Sequence, residues 1–211
     1  MKNTYSRYKN ALTWLSLLIG ITACAQMAQS EETDLNHKFR GIGGAVIVLS
    51  SASRQNCVTI TTETGRQIAA PSLLARGGGG RLDFSSTDLP VPKTVHVVWK
   101  DKSCKAIWGK GGIDYEGTII GDYTVPVAEH IPNALLDDIR QSPRGNLRIK
   151  IRLKDDGVLI GWDIEREGKG KYTFDYEMAG GDFREARIYN GKVERKGWYI
   201  NKNGQKIETD Y

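Results

Sequence analysis

From Leu147 to Leu153 apolar and basic residues take strict turns, Leu147, Ile149, Ile151 and Leu153 alternating with Arg148, Lys150 and Arg152. A period of two marks a strand with one buried face, so the pattern predicts an aliphatic side facing a core and a basic side facing water. Asp155-Asp156-Gly157 follows, and the apolar positions resume at Val158, Ile160, Trp162 and Ile164. Asp-Gly between two such runs predicts a β-hairpin. Asp163 and Glu165 then fall on the outer, solvent face across from Arg148, Lys150 or Arg152. Paired carboxylates also serve glycosidases, but these two lie side by side on one strand face and opposite cations, so they are assigned to cross-strand charge pairing.

The same reading extends in both directions. Residues 43–50 form a short apolar run, and Cys57-Val58-Thr59-Ile60-Thr61-Thr62 is rich in β-branched residues. Arg66 to Ala70 follows a turn at Glu63-Thr64-Gly65-Arg66, and all three segments are predicted as strands. Thr94 to Trp99 alternates, with Val95, Val97 and Trp99 on one face and His96 and Val98 on the other. Cys104 to Trp108 is predicted as its antiparallel neighbour, reached through Asp101-Lys102-Ser103. Residues 109–122 are glycine-rich with interspersed tyrosines, and two readings stand side by side: a recognition loop, or short edge strands at Thr118-Ile119-Ile120 and Tyr123-Thr124-Val125. Ile131, Leu135 and Ile139 are at helical spacing, with Pro132 suited to a first turn and Pro143 to a stop, which predicts a helix over 132–140 packing one stripe on a sheet. After residue 168 the Gly180-Gly181, Asn190-Gly191 and Asn203-Gly204 pairs predict consecutive hairpins, which either extend the main sheet or form an exposed appendage. The expected fold class is α+β and predominantly β: an antiparallel, hairpin-rich sheet or sandwich with one short helix.

One apolar run belongs to no such sheet. Residues 11–20 are nearly unbroken apolar, preceded by Lys2, Arg7 and Lys9 and followed by Ile21-Thr22-Ala23-Cys24. A basic start, a short apolar core and a small-residue exit are the layout of a secretory signal peptide. The exit resembles the lipobox of bacterial lipoproteins, which implies cleavage after residue 23 and acylation of Cys24; a cut after Ala25 would instead release a soluble periplasmic protein. The expected organisation is a lipoprotein signal peptide over 1–23, a lipidated tether over 24–38, and a single β-rich domain over 39–211. Fourteen extended residues from Ala25 to Lys38 span at most about 45 Å, so the domain could stand clear of headgroups while held at the membrane.

Charge and cysteines refine the compartment. The formal charge of +5 rests on 30 basic and 25 acidic side chains, and removing Lys2, Arg7 and Lys9 with the leader leaves 27 against 25. The signs alternate finely along the chain, so no nucleic-acid partner is expected. With Cys24 taken by the lipobox, Cys57 and Cys104 remain, and two thiols in an oxidising periplasm are expected to pair. The run Gly77-Gly78-Gly79-Gly80 is read as a loop, because no Gly-Lys-Ser or Gly-Lys-Thr follows to make a phosphate-binding P-loop. His37, His96 and His130 are scattered, no Gly-x-Ser-x-Gly elbow occurs, and no metal-ligand spacing is present. No enzyme, cofactor or metal is therefore expected. Trp108, Tyr115 and Tyr123, with Trp198 and Tyr199 in the last hairpin, are the candidate partner-binding residues, since aromatic side chains give large contact area at low entropic cost.

The lipobox, the glycine run, Leu89-Pro90-Val91-Pro92-Lys93-Thr94-Val95-His96-Val97-Val98-Trp99, Val125-Pro126-Val127 and the strand Arg148 to Leu153 ending in Asp156-Gly157 occur in that order. In this the chain resembles a family of small proteobacterial lipoproteins of uncharacterised domain type. Some members are encoded beside phospholipase effectors of type VI secretion systems and act as their immunity proteins. The resemblance covers Cys24 to about Glu165 and does not extend to the hairpins after Arg166. It implies a periplasm-facing binder that occludes an incoming lipase; a structural or ligand-binding envelope lipoprotein is the alternative. Ala25 follows the cysteine where an inner-membrane retention signal would place Asp, so the outer membrane is the expected address. Cys24→Ala is expected to abolish incorporation of labelled palmitate and to remove the processed protein from the membrane fraction; a wild-type protein wholly soluble in periplasmic extract would contradict the anchor.

Overall fold

A computed structural model describes residues 34–35, 37–42, 45–84, 91–109, 111–141, 145–171 and 173–210. The chain divides into two compact units, Met1–Arg40 and Gly41–Tyr211. The expected signal peptide, Cys24 and most of the tether lie outside the described residues. What is described of the first unit is a helical turn in which the Phe39 amide donates to the Leu35 carbonyl at 3.1 Å.

Among its described residues the second unit is predominantly β with a single short α-helix, as the alternation predicts. Its largest sheet has seven strands: β1 (Ala45–Ser51), β5 (Gly79–Phe84), β10 (Gly145–Lys154), β11 (Gly157–Glu167), β12 (Phe174–Gly181), β14 (Ile188–Tyr189) and β15 (Lys192–Val193), in the order β15-β14-β12-β11-β10-β1-β5. The β10–β11 hairpin pairs Leu153 with Val158 and Lys154 with Gly157 across the Asp155-Asp156 turn. The sheet is mixed rather than wholly antiparallel, because β1 runs parallel to β10 from Ala45 opposite Leu147 to Ser51 opposite Leu153. A second sheet holds β2 (Gln55–Thr62), β3 (Gln67–Ala69), β4 (Leu73–Leu74), β6 (Thr94–Lys100) and β9 (Ile119–Pro126), in the order β3-β2-β6-β9 with β4 also on β2. The short sheet β13 (Phe183–Arg184), β16 (Gly197–Ile200) and β17 (Lys206–Thr209) is separate. Thus β12, β14 and β15 extend the main sheet, whereas the last hairpin belongs to a sheet of its own.

The core forms from the apolar alternation of both large sheets. Ile47, Leu49, Leu147, Ile149, Ile151, Leu153, Ile160 and Ile164 of the first sheet are buried, as are Val58, Ile60, Val95, Val97 and Trp99 of the second. The helix α1 (Asn133–Gln141) adds Leu135, Leu136 and Ile139, with Ile131 just before it. Each such aliphatic side chain removed from water contributes about 1.5–3 kcal/mol. Two tryptophans are accommodated by glycines directly across the ladder: a Cβ on Gly121 would stand 2.1 Å from the Trp99 indole, and one on Gly180 would stand 2.3 Å from the Trp162 indole. With that room Trp99 lies flat on Tyr123, ring centres 5.2 Å apart.

Two expectations are corrected. The segment Cys104 to Trp108 does not pair with Thr94–Trp99; β7 (Lys105–Gly109) pairs with β8 (Gly112–Glu116), because both edges of β6 are taken by β2 and β9. Of the two readings of residues 109–122, the strand one holds for Gly112–Glu116 and for Ile119 onward, which opens the edge strand β9. The glycine run is not a simple loop either: Gly77 turns the chain at φ +67°, and Gly79 and Gly80 open β5, an edge strand on β1. Gly79 passes so close to Leu49 that a Cβ would lie 2.4 Å from its carbonyl oxygen.

The Cys57–Cys104 disulfide is present, joining residues 47 apart in sequence. Cys57 has φ +48° within a β-bulge of β2, and its amide donates to the Ser72 carbonyl at 2.8 Å. A loop of this length restricts the unfolded chain by about 4 kcal/mol on the chain-entropy account. The Cys57→Ser/Cys104→Ser double variant is therefore expected to lose about that much unfolding free energy in urea, and an unchanged midpoint would contradict it.

Candidate functional site

The second face of the main sheet, opposite the aliphatic core, carries charge. Arg148 stands directly across from Asp163 in the β10–β11 ladder, and its Nε and Nη2 donate to the two carboxylate oxygens, each at 2.6 Å. Lys150 Nζ lies 3.0 Å from Asp163 Oδ2, and the Tyr189 hydroxyl donates to the same oxygen at 3.4 Å. The Arg148 guanidinium also stacks 3.7 Å over the Tyr176 ring. Arg152 donates from Nε to Ser50 Oγ at 3.0 Å. Along the sheet, Arg81 of β5 makes a two-pronged bond to Glu165 at 2.6 and 2.8 Å. Glu185, just after β13, collects several cations: Arg187 at 3.3 Å, Arg148 at 3.6 Å, Lys150 at 3.8 Å and Arg152 at 4.0 Å.

The expectation that Arg148, Lys150 and Arg152 face water, with Asp163 and Glu165 beside them on a solvent face, is overturned. Arg148 and Lys150 are 1% exposed, Arg152 6%, Asp163 0% and Glu165 1%. Asp163 pairs with Arg148 and Lys150 as expected, whereas Glu165 pairs with Arg81 of β5 and stands opposite Asn146 in the ladder, and the surroundings are not those expected. After β12 the chain turns back over this face at Gly181, where φ is +90° and a Cβ would meet the Ile160 carbonyl at 2.4 Å. Asp182 fastens the turn, its amide donating to the Ile160 carbonyl at 2.7 Å and its carboxylate accepting from the Ile160 amide at 2.9 Å. Phe183 then settles on Gly161, 3.1 Å from where a Cβ would be, with its ring centre 5.1 Å from Lys150 Nζ and 4.9 Å from the Arg152 guanidinium. The three-stranded sheet that begins with Phe183 thus covers the charges.

Burial sets the electrostatics. Loss of water by itself would raise the Asp163 carboxyl, but the Lys150 ammonium and the Arg148 guanidinium reverse this and hold it below the usual carboxylate range. Lys150 is pushed down from the ordinary lysine value by burial, which Asp163 and Glu185 only partly offset. Burial, then the nearby Asp163 and Glu185 charges, push the Tyr189 phenol well above its ordinary value, so it remains a donor.

Beside this layer lies a cavity of about 770 Å³, bounded by Gly77 to Arg81, by Arg148, Arg152 and Leu159, by Tyr176, by Glu185 to Arg187, and by Tyr199, Thr209 and Asp210. Its described lining includes six cationic side chains (Arg76, Arg81, Arg148, Arg152, Lys154 and Arg187) against two carboxylates, Glu185 and Asp210.

The partner-binding candidates scatter. Trp108 is 84% exposed at the end of β7, whereas Tyr115 is 3% exposed and its hydroxyl donates to the Ala70 carbonyl at 2.6 Å, which makes it a packing residue rather than a contact. Tyr123 is half-buried under Trp99. Trp198 is half-buried with Lys206 Nζ 4.4 Å from its ring, and Tyr199 lines the cavity. His96, on the sheet face as expected, lies 2.7 Å from Asp122. Among the described residues no three His, Cys, Asp or Glu side chains form a metal-binding group. Sequence reasoning missed Glu185, Arg187, Tyr176, Tyr189 and Phe183. A usable signal was present in the tail, where aromatic residues replace aliphatic ones and so suit a cover for cations, and in Gly161, a gap in the polar face of β11.

Comparison with family models, with curated proteins and with solved structures finds no match to this chain.

Removing one member of a buried ion pair leaves the other charge uncompensated, which typically costs about 3–5 kcal/mol. Asp163→Asn is expected to lose that much in urea unfolding, while Asp122→Asn, at an exposed pair, loses about 1 kcal/mol or less. Asp163 also titrates lower folded than unfolded. Its contribution is thus present above the ordinary carboxylate value of about 3.9 and is lost as pH falls through the folded one. Wild-type stability should fall below about pH 4, and the Asp163→Asn variant should lack that share of the fall.

Proposed function

We propose that the protein is a binding protein anchored through Cys24 at the periplasmic face of a bacterial outer membrane, and that its partner is a secreted phospholipase effector of a type VI secretion system. It acts as an immunity protein, covering the lipase entrance while the anchor concentrates it at the membrane under attack. The partner and the address come from the family resemblance of the sequence.

One observation of the fold carries the binding reading: Trp108, 84% exposed, stands on a hairpin that is held rigid at its base. Gln67 clamps the β8 strand, donating to the Ile113 carbonyl at 2.6 Å and accepting from the Ile113 amide at 3.2 Å. Lys100 Nζ donates to the Tyr115 carbonyl, the Tyr115 hydroxyl reaches Ala70, and Cys104 ties the start of β7 to β2. Ile107, Ile119 and Ile120 are exposed in the same part of the chain. A large aromatic residue on a pre-ordered support loses little conformational freedom on docking, and such residues dominate interface energetics.

Trp108→Ala is expected to weaken partner binding about thirtyfold or more, as loss of about 2 kcal/mol implies, with the unfolding midpoint unchanged. The measurement is calorimetric titration with a type VI phospholipase effector, the product of the neighbouring gene being the first one to assay for lipase activity, together with inhibition of that activity. Wild-type affinity in the variant would remove Trp108 from the interface, and absence of both binding and inhibition in the wild type would leave the structural or ligand-binding lipoprotein standing.

A further inference from the structure

The cavity beside the charged layer plays no part in the partner reading. Its floor is the polar face of the main sheet, where Arg148 and Arg152 are buried and held in place by Asp163 and Ser50. Its rim carries Arg187, 42% exposed, whose Nη1 donates to the Tyr176 hydroxyl at 3.3 Å. The glycine run along β5 brings backbone to the cavity without side chains to fill it. The volume of about 770 Å³ falls in the range of small-molecule sites.

The described lining carries six cationic side chains against two carboxylates, an excess of positive charge. Glu185 lies within 4.0 Å of four cationic groups, and its Oε2 is buried yet accepts no hydrogen bond within the structure. Three cations within 3.8 Å compensate that oxygen, and Glu185 also lines the cavity, where its carboxylate can accept from a ligand hydroxyl. Guanidinium groups converging from β10 and from the segment before β14 suit an anion with several equivalent oxygens, for which planar forks are the preferred partner.

We propose that this cavity binds a hydroxylated phosphate ester, the phosphate on Arg152 and Arg187 and a neighbouring hydroxyl donating to Glu185. Leu159, Val48 and Tyr199 supply apolar wall for the remainder of the molecule. The same chemistry is offered by a free glycerol phosphate and by the headgroup of phosphatidylglycerol.

The test uses the full chain with two probes at matched ionic strength: sn-glycerol 3-phosphate by calorimetric titration, and phosphatidylglycerol vesicles against phosphatidylcholine vesicles by sedimentation, so that anchoring common to both cancels. Saturable binding is expected, weakened at least tenfold by Arg187→Gln and unchanged by Lys102→Gln on a distant turn. Arg187 is half-exposed, so its substitution should fold; the unfolding midpoint checks this, and Arg152→Gln gives a second reading of the same subsite. Binding of the soluble ester identifies a free metabolite as a sufficient source, and a preference for phosphatidylglycerol vesicles alone identifies the lipid headgroup; either supports the site. Three results would overturn it: no saturable binding of either probe, affinity unchanged in Arg187→Gln, or equal affinity for glycerate, the carboxylate counterpart. Because these readouts involve no lipase, their outcome is independent of the partner assignment.

Discussion

The two parallel hydrogen bonds from Arg148 to Asp163 sit in the centre of the main sheet with almost no access to water. Taking both charges out of solvent is costly, and mutual attraction offsets the cost only when geometry is good and the remaining donors and acceptors are met. Here Lys150 lies 3.0 Å from the carboxylate, Tyr189 donates to it and Tyr176 faces the guanidinium, while Lys150 Nζ and Glu185 Oε2 are held by ion pairing without a hydrogen bond of their own. The cover over this pair is therefore not a loose addition. If Phe183 and the strands that follow it were displaced, the charges would return to water and the reason for their arrangement would go with them.

The main sheet thus works by different physics on its two sides. One side gains from removal of aliphatic surface from water, through Leu147, Ile149, Ile151 and Leu153 against the second sheet and the helix. The other gains from oriented charge, with aromatic rings rather than aliphatic chains laid over it: Phe183 by Lys150 and Arg152, Tyr176 by Arg148, Tyr189 by Arg184. A layer of this kind specifies its partners by geometry, since a shifted register would leave a buried ion alone.

Two features project from this frame. The hairpin carrying Trp108 is fixed by a disulfide and by side-chain clamps to backbone, so it offers an apolar anchor at little ordering cost. The cavity beside Arg152 and Arg187 inherits its charge from the sheet and its space from the glycines of β5. Exposure makes the first suited to a protein surface, and concavity with converging cations makes the second suited to a small anion.

Much of the frame is written in the sequence. The period of two fixes the strands at Thr94–Lys100 and Gly145–Glu167 and their aliphatic faces; the spacing of Ile131, Leu135 and Ile139 fixes the helix; two cysteines in one domain fix the disulfide; and Asn190-Gly191, with φ of +52° and +72°, fixes a tight hairpin. These are local facts, decided by neighbours a few residues apart. That Arg148 faces Asp163 is local as well, because a hairpin turn sets the register. What alternation cannot state is what lies beyond the second face of a sheet. A row of arginine and lysine reads as solvent-facing unless another element covers it, and here that element is the sheet of β13, β16 and β17, brought over by Gly181 and seated by Gly161. The parallel pairing of β1 with β10, the pairing of β7 with β8, the conversion of Tyr115 from contact to core, and the gathering of four cations around Glu185 were likewise decided by contacts between distant parts of the chain. Burial of charge is a property of the whole fold, since it depends on what excludes water, and a strand's own sequence carries no record of that.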